Sequence, residues 1–65
     1  MCQSTAYSLT VDGEQIIMED VANLKIEQGK IYLTNLLGQR KTIYGIIKEI
    51  RMIDHKILIS ETGIK

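Results

Sequence analysis

Alternating apolar and polar residues run along most of this chain in short segments separated by turn-forming residues, a pattern typical of β-hairpins. The first turn signal is Asp12-Gly13, which favours a tight type I′ turn because both residues tolerate a positive φ. Pairing the segments about that turn places apolar side chains opposite each other: Leu9 with Ile16, and Tyr7 with Met18. This register gives the hairpin one apolar face, as a strand pair that covers a core requires.

A second hairpin is predicted about Gln28-Gly29, and its register also separates an apolar face from a polar one. The facing apolar pairs are Ile26 with Ile31, and Leu24 with Leu33. Lys25 and Tyr32 then fall together on the outer face.

The isoleucine-rich segment near the C-terminus is predicted as a third hairpin, with its turn at Asp54-His55. The facing pairs would be Met52 with Ile57, and Ile50 with Ile59. A helix is the alternative, because several isoleucines recur at helical spacing: Ile46, Ile47, Ile50, Ile53 and Ile57. Strands are favoured because isoleucine is β-branched, and because Gly45 and Gly63 bracket the segment without a helix cap.

Residues 36–39 are predicted as a further turn and residues 40–44 as another short strand. The pattern therefore predicts an all-β fold, either a small antiparallel β-barrel or a two-layer sandwich of six to seven short strands. Residues 1–65 would form one domain. Because a core of this size rarely supplies more than ~3 to 5 kcal/mol, we expect oligomerisation to add support.

Composition narrows the function classes. The 45% hydrophobic content is ordinary for a folded chain, and the short apolar runs together with the N-terminal sequence give no sign of a membrane span or signal peptide. A cytoplasmic protein is expected, in which a single cysteine stays reduced.

Eight basic and eight acidic residues cancel, so no bulk positive field attracts nucleic acid. Half of the basic residues are concentrated in one span: Arg40, Lys41, Lys48 and Arg51.

Those basic residues, and an acidic stretch between Asp12 and Asp20, have three interpretations: solvated faces, patches that meet across a dimer interface, or contacts to phosphate. No phosphate-binding glycine loop occurs in the sequence. Nucleophilic catalysis would depend on pairing the one cysteine with the one histidine, His55, which is distant in sequence and predicted to lie in a turn. We therefore expect no enzymatic activity.

Cys2 is the candidate functional residue, because it follows the initiator methionine directly. Once Met1 is removed, its thiolate and α-amine can close a five-membered chelate ring around nickel, copper or zinc. One chain supplies at most three donors in this way, whereas a two-fold dimer supplies the four that these metals prefer. His55 is a rival ligand, but the favoured interpretation is a turn residue that tolerates left-handed geometry or a solvent-facing group that responds to pH.

The Met-Cys start, the D-G turn, E-D-V, the Q-G hairpin, L-T-N-L-L-G-Q and the isoleucine-rich end together resemble the CooT family. These are small nickel-binding accessory proteins associated with the maturation of carbon monoxide dehydrogenase. The resemblance implies a β-rich homodimer that binds Ni(II) through Cys2, with backbone nitrogens as co-ligands and a nickel-dependent enzyme or its maturation machinery as client.

Two alternatives from other function classes stay open. The first is a small barrel that binds RNA, with Tyr32 or Tyr44 as stacking platforms and the four concentrated basic residues as phosphate contacts. The second is a dimerisation module or redox sensor in which Cys2 forms an intermolecular disulfide on oxidation.

Overall fold

The computed structural model describes residues 3–62, which contain five strands and no helix. The strands are β1 (Ser4–Thr10), β2 (Gly13–Glu27), β3 (Lys30–Asn35), β4 (Arg40–Arg51) and β5 (Lys56–Glu61). The all-β prediction is confirmed, and the helical alternative for the isoleucine-rich segment is wrong because β4 and β5 occupy it. None of the described segments includes a helix long and apolar enough to cross a membrane.

Five strands are present where six or seven were predicted, because two long strands each take in two predicted ones. β2 has 15 residues and pairs first with β1 and then with β3; it changes partner at Val21. Asp20, directly before that point, has φ 56°, a left-handed conformation that aspartate tolerates. The register with β1 shifts across it, between Met18 and Val21. β4 has 12 residues and passes in the same way from β3 to β5.

The described strands close into one barrel in the order β1-β2-β3-β4-β5, so the barrel is the form adopted of the two predicted. Consecutive strands pair antiparallel, whereas the closing pair, β1 with β5, is parallel. An odd number of strands that alternate in direction leaves the first and last pointing the same way. The predicted all-antiparallel sheet is therefore corrected at this one junction.

The register predicted for the second hairpin is confirmed. Ile26 faces Ile31 and Leu24 faces Leu33. Gln28 and Gly29 both have positive φ, 49° and 80°, as a two-residue type I′ turn requires.

The register predicted for the first hairpin is wrong, because the turn is at Val11-Asp12 and Gly13 already begins β2. Leu9 consequently faces Glu14 instead of Ile16. Thr10 fixes this shorter connection: its hydroxyl accepts a hydrogen bond from Asp12 N at 3.2 Å and donates one to Gly13 O at 2.9 Å.

The register predicted for the third hairpin is also wrong, because residues 52–55 form a four-residue turn in place of the two-residue turn expected. Ile50 faces Ile57, and Met52 lies in the turn and not in a strand. His55 ends the turn with φ 56°, and its amide donates a hydrogen bond to Met52 O at 3.4 Å. The pairing of β4 with β5 also shifts its register between Ile47 and Glu49.

The core lies inside the barrel and is built from strands β1, β3 and β5. Its buried members among the described residues are Ala6, Ile31, Leu33, Ile57 and Ile59. Partly buried side chains from β2 and β4 pack against them: Ile17, Met18, Val21, Leu24, Ile43 and Ile47.

Gly45 is the point at which β4 leaves β3 for β5. Its amide donates a hydrogen bond to Gly29 O at 3.1 Å. On the other side, Thr62 N donates a hydrogen bond to Tyr44 O at 2.9 Å, so other segments of the same chain flank this position on both sides. A Cβ atom here would collide with the carbonyl oxygen of Ser60 and lie 2.9 Å from Glu61 Cα. The barrel closes tightly at this position because the side chain is absent.

Candidate functional site

Cys2, the predicted metal ligand, lies outside the described residues, so the structure locates the place where the chain leads up to it. β1 begins at Ser4. The start of β1 is therefore the described part of the chain that lies nearest to Cys2 in the sequence.

The start of β1 lies beside the turn between β4 and β5. Thr5 N donates a hydrogen bond to His55 O at 2.9 Å, and Thr5 pairs with Lys56 in the parallel ladder that closes the barrel. The fold thus brings the backbone of His55 next to β1, although most of the sequence separates it from Cys2. No local sequence signal indicates this, because the contact depends on the closing strand pair.

The positive φ of His55, 56°, gives this residue a backbone role in the turn. Its side chain is partly buried. Within residues 3–62, no three side chains of the types His, Cys, Asp and Glu come together as a metal site would need. His55 is consequently the candidate ligand that the described residues place nearest to β1, and it does not form a metal site with other described side chains.

Lys56 is the cation next to the start of β1, and its side chain is held along the outer face of the barrel. Its ammonium group lies 3.2 Å from Glu14 Oε1 and 5.2 Å from the centre of the Tyr7 ring. The carboxylate and the ring both stabilise the positive charge. Lys56 therefore connects β5 to the β1–β2 hairpin at the seam where the barrel closes.

The four basic residues predicted as one phosphate-binding patch are not brought together. Arg40 pairs with Thr34 on the outer face, whereas the next residue, Lys41, pairs with the core residue Leu33. The Lys41 ammonium group donates a hydrogen bond to Ile17 O at 3.4 Å. Successive residues of a strand point to opposite faces, so these two side chains leave the strand in different directions, although both border the groove between β2 and the β3–β4 turn.

The other two predicted phosphate contacts are also separated from Arg40. Arg51 lies at the far end of β4, where its guanidinium group is 3.2 Å from Glu49 and 3.8 Å from Asp54. Lys48 lies at the register shift between Ile47 and Glu49. The four basic residues of the RNA-binding alternative therefore do not form one surface.

A different set of cations shares the outer face of β2, β3 and β4 with the tyrosines. Lys25 pairs with Tyr32, and Lys30 pairs with Tyr44 and lies 5.8 Å from the centre of its ring. The confirmed register of the second hairpin already indicates the first of these pairs. Glu27 lies 3.4 Å from Lys25 and offsets its charge, so the face is only weakly basic.

The turn beside β1 exposes large apolar side chains. Ile50 at the end of β4 is 52% exposed, and Met52 and Ile53 in the turn are 77% and 91% exposed. Sequence reasoning missed this surface, since it placed Met52 and Ile50 opposite core residues. The observed turn is two residues longer than the predicted one, so Met52 and Ile53 lie in the turn and are exposed to solvent.

Comparisons with known proteins agree with this geometry. A model of the family described as "CO dehydrogenase accessory protein CooT" matches residues 1–60. A crystal structure described as CooT from Carboxydothermus hydrogenoformans is similar with a TM-score of 0.85 and 33% identity, covering 92% of this chain and 97% of that one. None of the curated proteins compared matches the chain. The family match spans nearly the whole sequence, including Cys2, and the chain belongs to the CooT family of CO dehydrogenase accessory proteins.

Proposed function

We propose that this chain is a cytosolic metallochaperone or nickel buffer that captures Ni(II) through Cys2 at a homodimer interface and supplies it for carbon monoxide dehydrogenase maturation. It acts by binding and release and carries out no catalysis itself. The observation that carries the proposal is the position of the thiol: β1 begins at Ser4, so Cys2 precedes the barrel with Gln3 as the only residue between.

The donor set fits a soft or borderline divalent ion. A thiolate and an amine on one residue form a chelate, and two copies supply two sulfur and two nitrogen donors, a number and type that suit square-planar nickel. The described residues bring no cluster of three candidate ligands together that would compete for the ion. The second chain is therefore the natural source of the remaining ligands.

The scaffold suits delivery of a metal ion. Strand β1 is hydrogen-bonded on both sides, to β2 and to β5, so the point from which the terminus departs is fixed. In our proposal, the thiolate exchanges its metal with the ligands of an acceptor protein. Transfer can then proceed by ligand exchange without unfolding the barrel.

The experiment is a nickel titration of the reduced protein, followed by the absorbance of thiolate-to-nickel charge transfer. We expect the wild type to saturate at one nickel per two chains and the Cys2→Ser variant to show no such band. Full reductant is used because an oxidised Cys2 pair would form the intermolecular disulfide of the redox-sensor alternative.

His55→Asn is the matched control, because asparagine tolerates the left-handed backbone at this position. We expect this variant to bind nickel as the wild type does. Tight, stoichiometric nickel binding that persists in Cys2→Ser would refute the proposal. Loss of binding in His55→Asn, with its fold intact by circular dichroism, would instead add His55 to the ligand set.

A further inference from the structure

Two strands of the barrel leave part of one side without a neighbouring strand where they change partner. β2 pairs with β1 up to Val21, and it meets β3 on its other side only from Val21 onward. β4 pairs with β3 up to Tyr44, and it meets β5 on its other side only from Gly45 onward. In the described part of the chain, residues 14–19 of β2 and 40–43 of β4 therefore each have one open side.

The two open sides border one groove, which we call the open groove. Residues 15–20 of β2 form one wall, Arg40, Lys41 and Ile43 of β4 form the other, and the β3–β4 turn lies at one end. Lys41 spans the groove, because its ammonium group donates a hydrogen bond to Ile17 O at 3.4 Å. β2 and β4 are not neighbours in the barrel, so no strand of the described chain fills the space between them.

The open side of β2 presents backbone hydrogen-bonding groups to the groove. In an antiparallel pair, alternate residues bond to the partner strand, and the residues between them direct their N–H and C=O groups to the other side. Ile17 O lies on the open side, and a lysine side chain takes the place of a strand as its donor. Lysine at an exposed edge is a common means of preventing unwanted strand pairing. At 3.4 Å the bond is longer than the roughly 2.7–3.2 Å usual for N–H···O bonds, so an incoming backbone N–H is the better donor.

Apolar side chains line the open groove and are accessible there. Ile16 on β2 is 57% exposed, and Leu37 in the β3–β4 turn is 84% exposed. Ile17 and Ile43, on opposite walls, are only partly buried against the core. Because side chains alternate along a strand, an added segment with apolar residues at every second position would cover one such set. Addition of an extended segment to a sheet edge uses both features of this groove, open backbone groups and apolar contacts.

The charges in the open groove define the segment further. Arg40 lies at the same end as Glu19 and Asp20, and Glu61 borders the other end. Lys41 borders both parts of the groove and is the cation at its centre. None of these five side chains takes part in the ion pairs formed among the described residues. A complementary segment therefore carries a carboxylate at its centre and basic residues towards its ends.

We propose that the open groove binds an extended segment of a partner protein, which adds to the barrel as a strand beside β2 with its central carboxylate against Lys41. A backbone N–H of the segment replaces the lysine as donor to Ile17 O, and the released ammonium group pairs with the carboxylate. The exchange keeps both groups hydrogen-bonded, and the ammonium–carboxylate pair is a strong, charge-assisted bond. The inference does not rest on the proposed nickel function, since the groove is built without the N-terminal residues.

The test is a titration of the reduced, nitrogen-15-labelled protein with a synthetic peptide, followed by nuclear magnetic resonance. The peptide has valine at every second position, aspartate at its centre, lysine at both ends and threonine elsewhere. We expect saturable amide shifts at residues 14–19 and 40–43 and none in the turn at residues 52–55. A peptide with asparagine in place of the aspartate is expected to bind about tenfold more weakly, because Lys41 then has no carboxylate partner.

Two peptides methylated on alternate backbone nitrogens test the strand pairing, since each lacks the donors along one of its sides. At least one of them is expected to lose binding, because a methylated nitrogen cannot donate to β2. These comparisons use the unaltered protein, so they do not depend on the stability of a variant. Undiminished binding of both methylated peptides, equal binding of the aspartate and asparagine peptides, or no shifts at residues 14–19 with any peptide would overturn the inference.

Lys41→Gln removes the central cation and keeps a polar donor at the open edge. This variant is expected to bind the aspartate and asparagine peptides equally. Lys48→Gln, on the same strand outside the groove, is the matched control and should keep the preference for aspartate. A preference that persists in Lys41→Gln would contradict the proposed contact. Shifts at residues 14–19 that depend on protein concentration without peptide would mean that a second copy occupies the groove, and would likewise overturn the inference.

Discussion

Replacing Gly45 by alanine tests whether the barrel is closed as tightly as the structure indicates. The added Cβ would collide with Ser60 O and lie 2.9 Å from Glu61 Cα. Both neighbours are backbone atoms of β5, so no side-chain rotation can relieve the contact. Strands β4 and β5 must separate locally, and the hydrogen bond from Gly45 N to Gly29 O is strained as β4 moves.

The magnitude follows from two opposing effects. Overpacking typically costs 1–3 kcal/mol, and contact with backbone places this case at about 3 kcal/mol. Alanine also restricts the unfolded chain, which offsets roughly 0.4–1 kcal/mol. The net loss of about 2 kcal/mol is a large share of the ~3 to 5 kcal/mol expected for a domain of this size, and it should lower the Tm by roughly 8–16 °C.

The assay is thermal and urea unfolding at one fixed protein concentration, since dimerisation would make the Tm depend on concentration. Gly29→Asn is the matched control: Gly29 has φ 80° and open space around it, and asparagine tolerates that conformation. We expect the control to change the Tm by no more than a few degrees. A Gly45→Ala variant as stable as the wild type would show that β4 and β5 are not in close contact at this position.

Two further substitutions probe the core and the β3–β4 turn by urea unfolding. Leu33→Ala, at a position 1% exposed, should cost about 2–5 kcal/mol and leave much of the chain unfolded; a cooperative transition near the wild-type midpoint would contradict this. Asn35→Ala removes the oxygen that accepts hydrogen bonds from Leu37 N at 3.0 Å and Gln39 N at 2.9 Å. We expect a loss of about 1–2 kcal/mol, whereas an unchanged midpoint would mean that water replaces both bonds.

The sequence predicts this fold well where the determining interactions are local. The register of the second hairpin is correct because Gln28 and Gly29 form a two-residue turn whose geometry fixes the pairing directly. The first register is wrong by two residues because the Thr10 hydroxyl stabilises an earlier turn than the glycine suggests. Alternation alone cannot detect that shift, since the pattern of faces is preserved.

Non-local features are the ones that the sequence does not predict. Predicted strands merge into β2 and β4 because each strand changes partner without breaking, at Val21 and at Gly45. The parallel pairing of β1 with β5 follows only from the strand count and barrel closure. The third register fails because a four-residue turn, ended by the left-handed His55, replaces the two-residue turn expected.

The candidate site likewise has features that the sequence indicates locally and features that depend on contacts between distant segments. Cys2 stays a prediction from the sequence, because it lies outside the described residues. The nearness of His55 to the start of β1 depends on the pairing of β1 with β5, and no local pattern in the sequence indicates it. Likewise, the four basic residues of the RNA-binding alternative do not form one surface, because Lys48 and Arg51 lie further along β4 than Arg40 and Lys41.

The closing seam is therefore the element that connects the proposed chemistry to the fold. Thr5 bonds to the carbonyl of His55 and pairs with Lys56, and Lys56 reaches Glu14 on the adjacent hairpin. These contacts fix the first residues of β1 against the turn at residues 52–55. The closing seam therefore sets where the first strand lies in the barrel, and no local pattern in the sequence indicates it because the seam joins the first strand to the last.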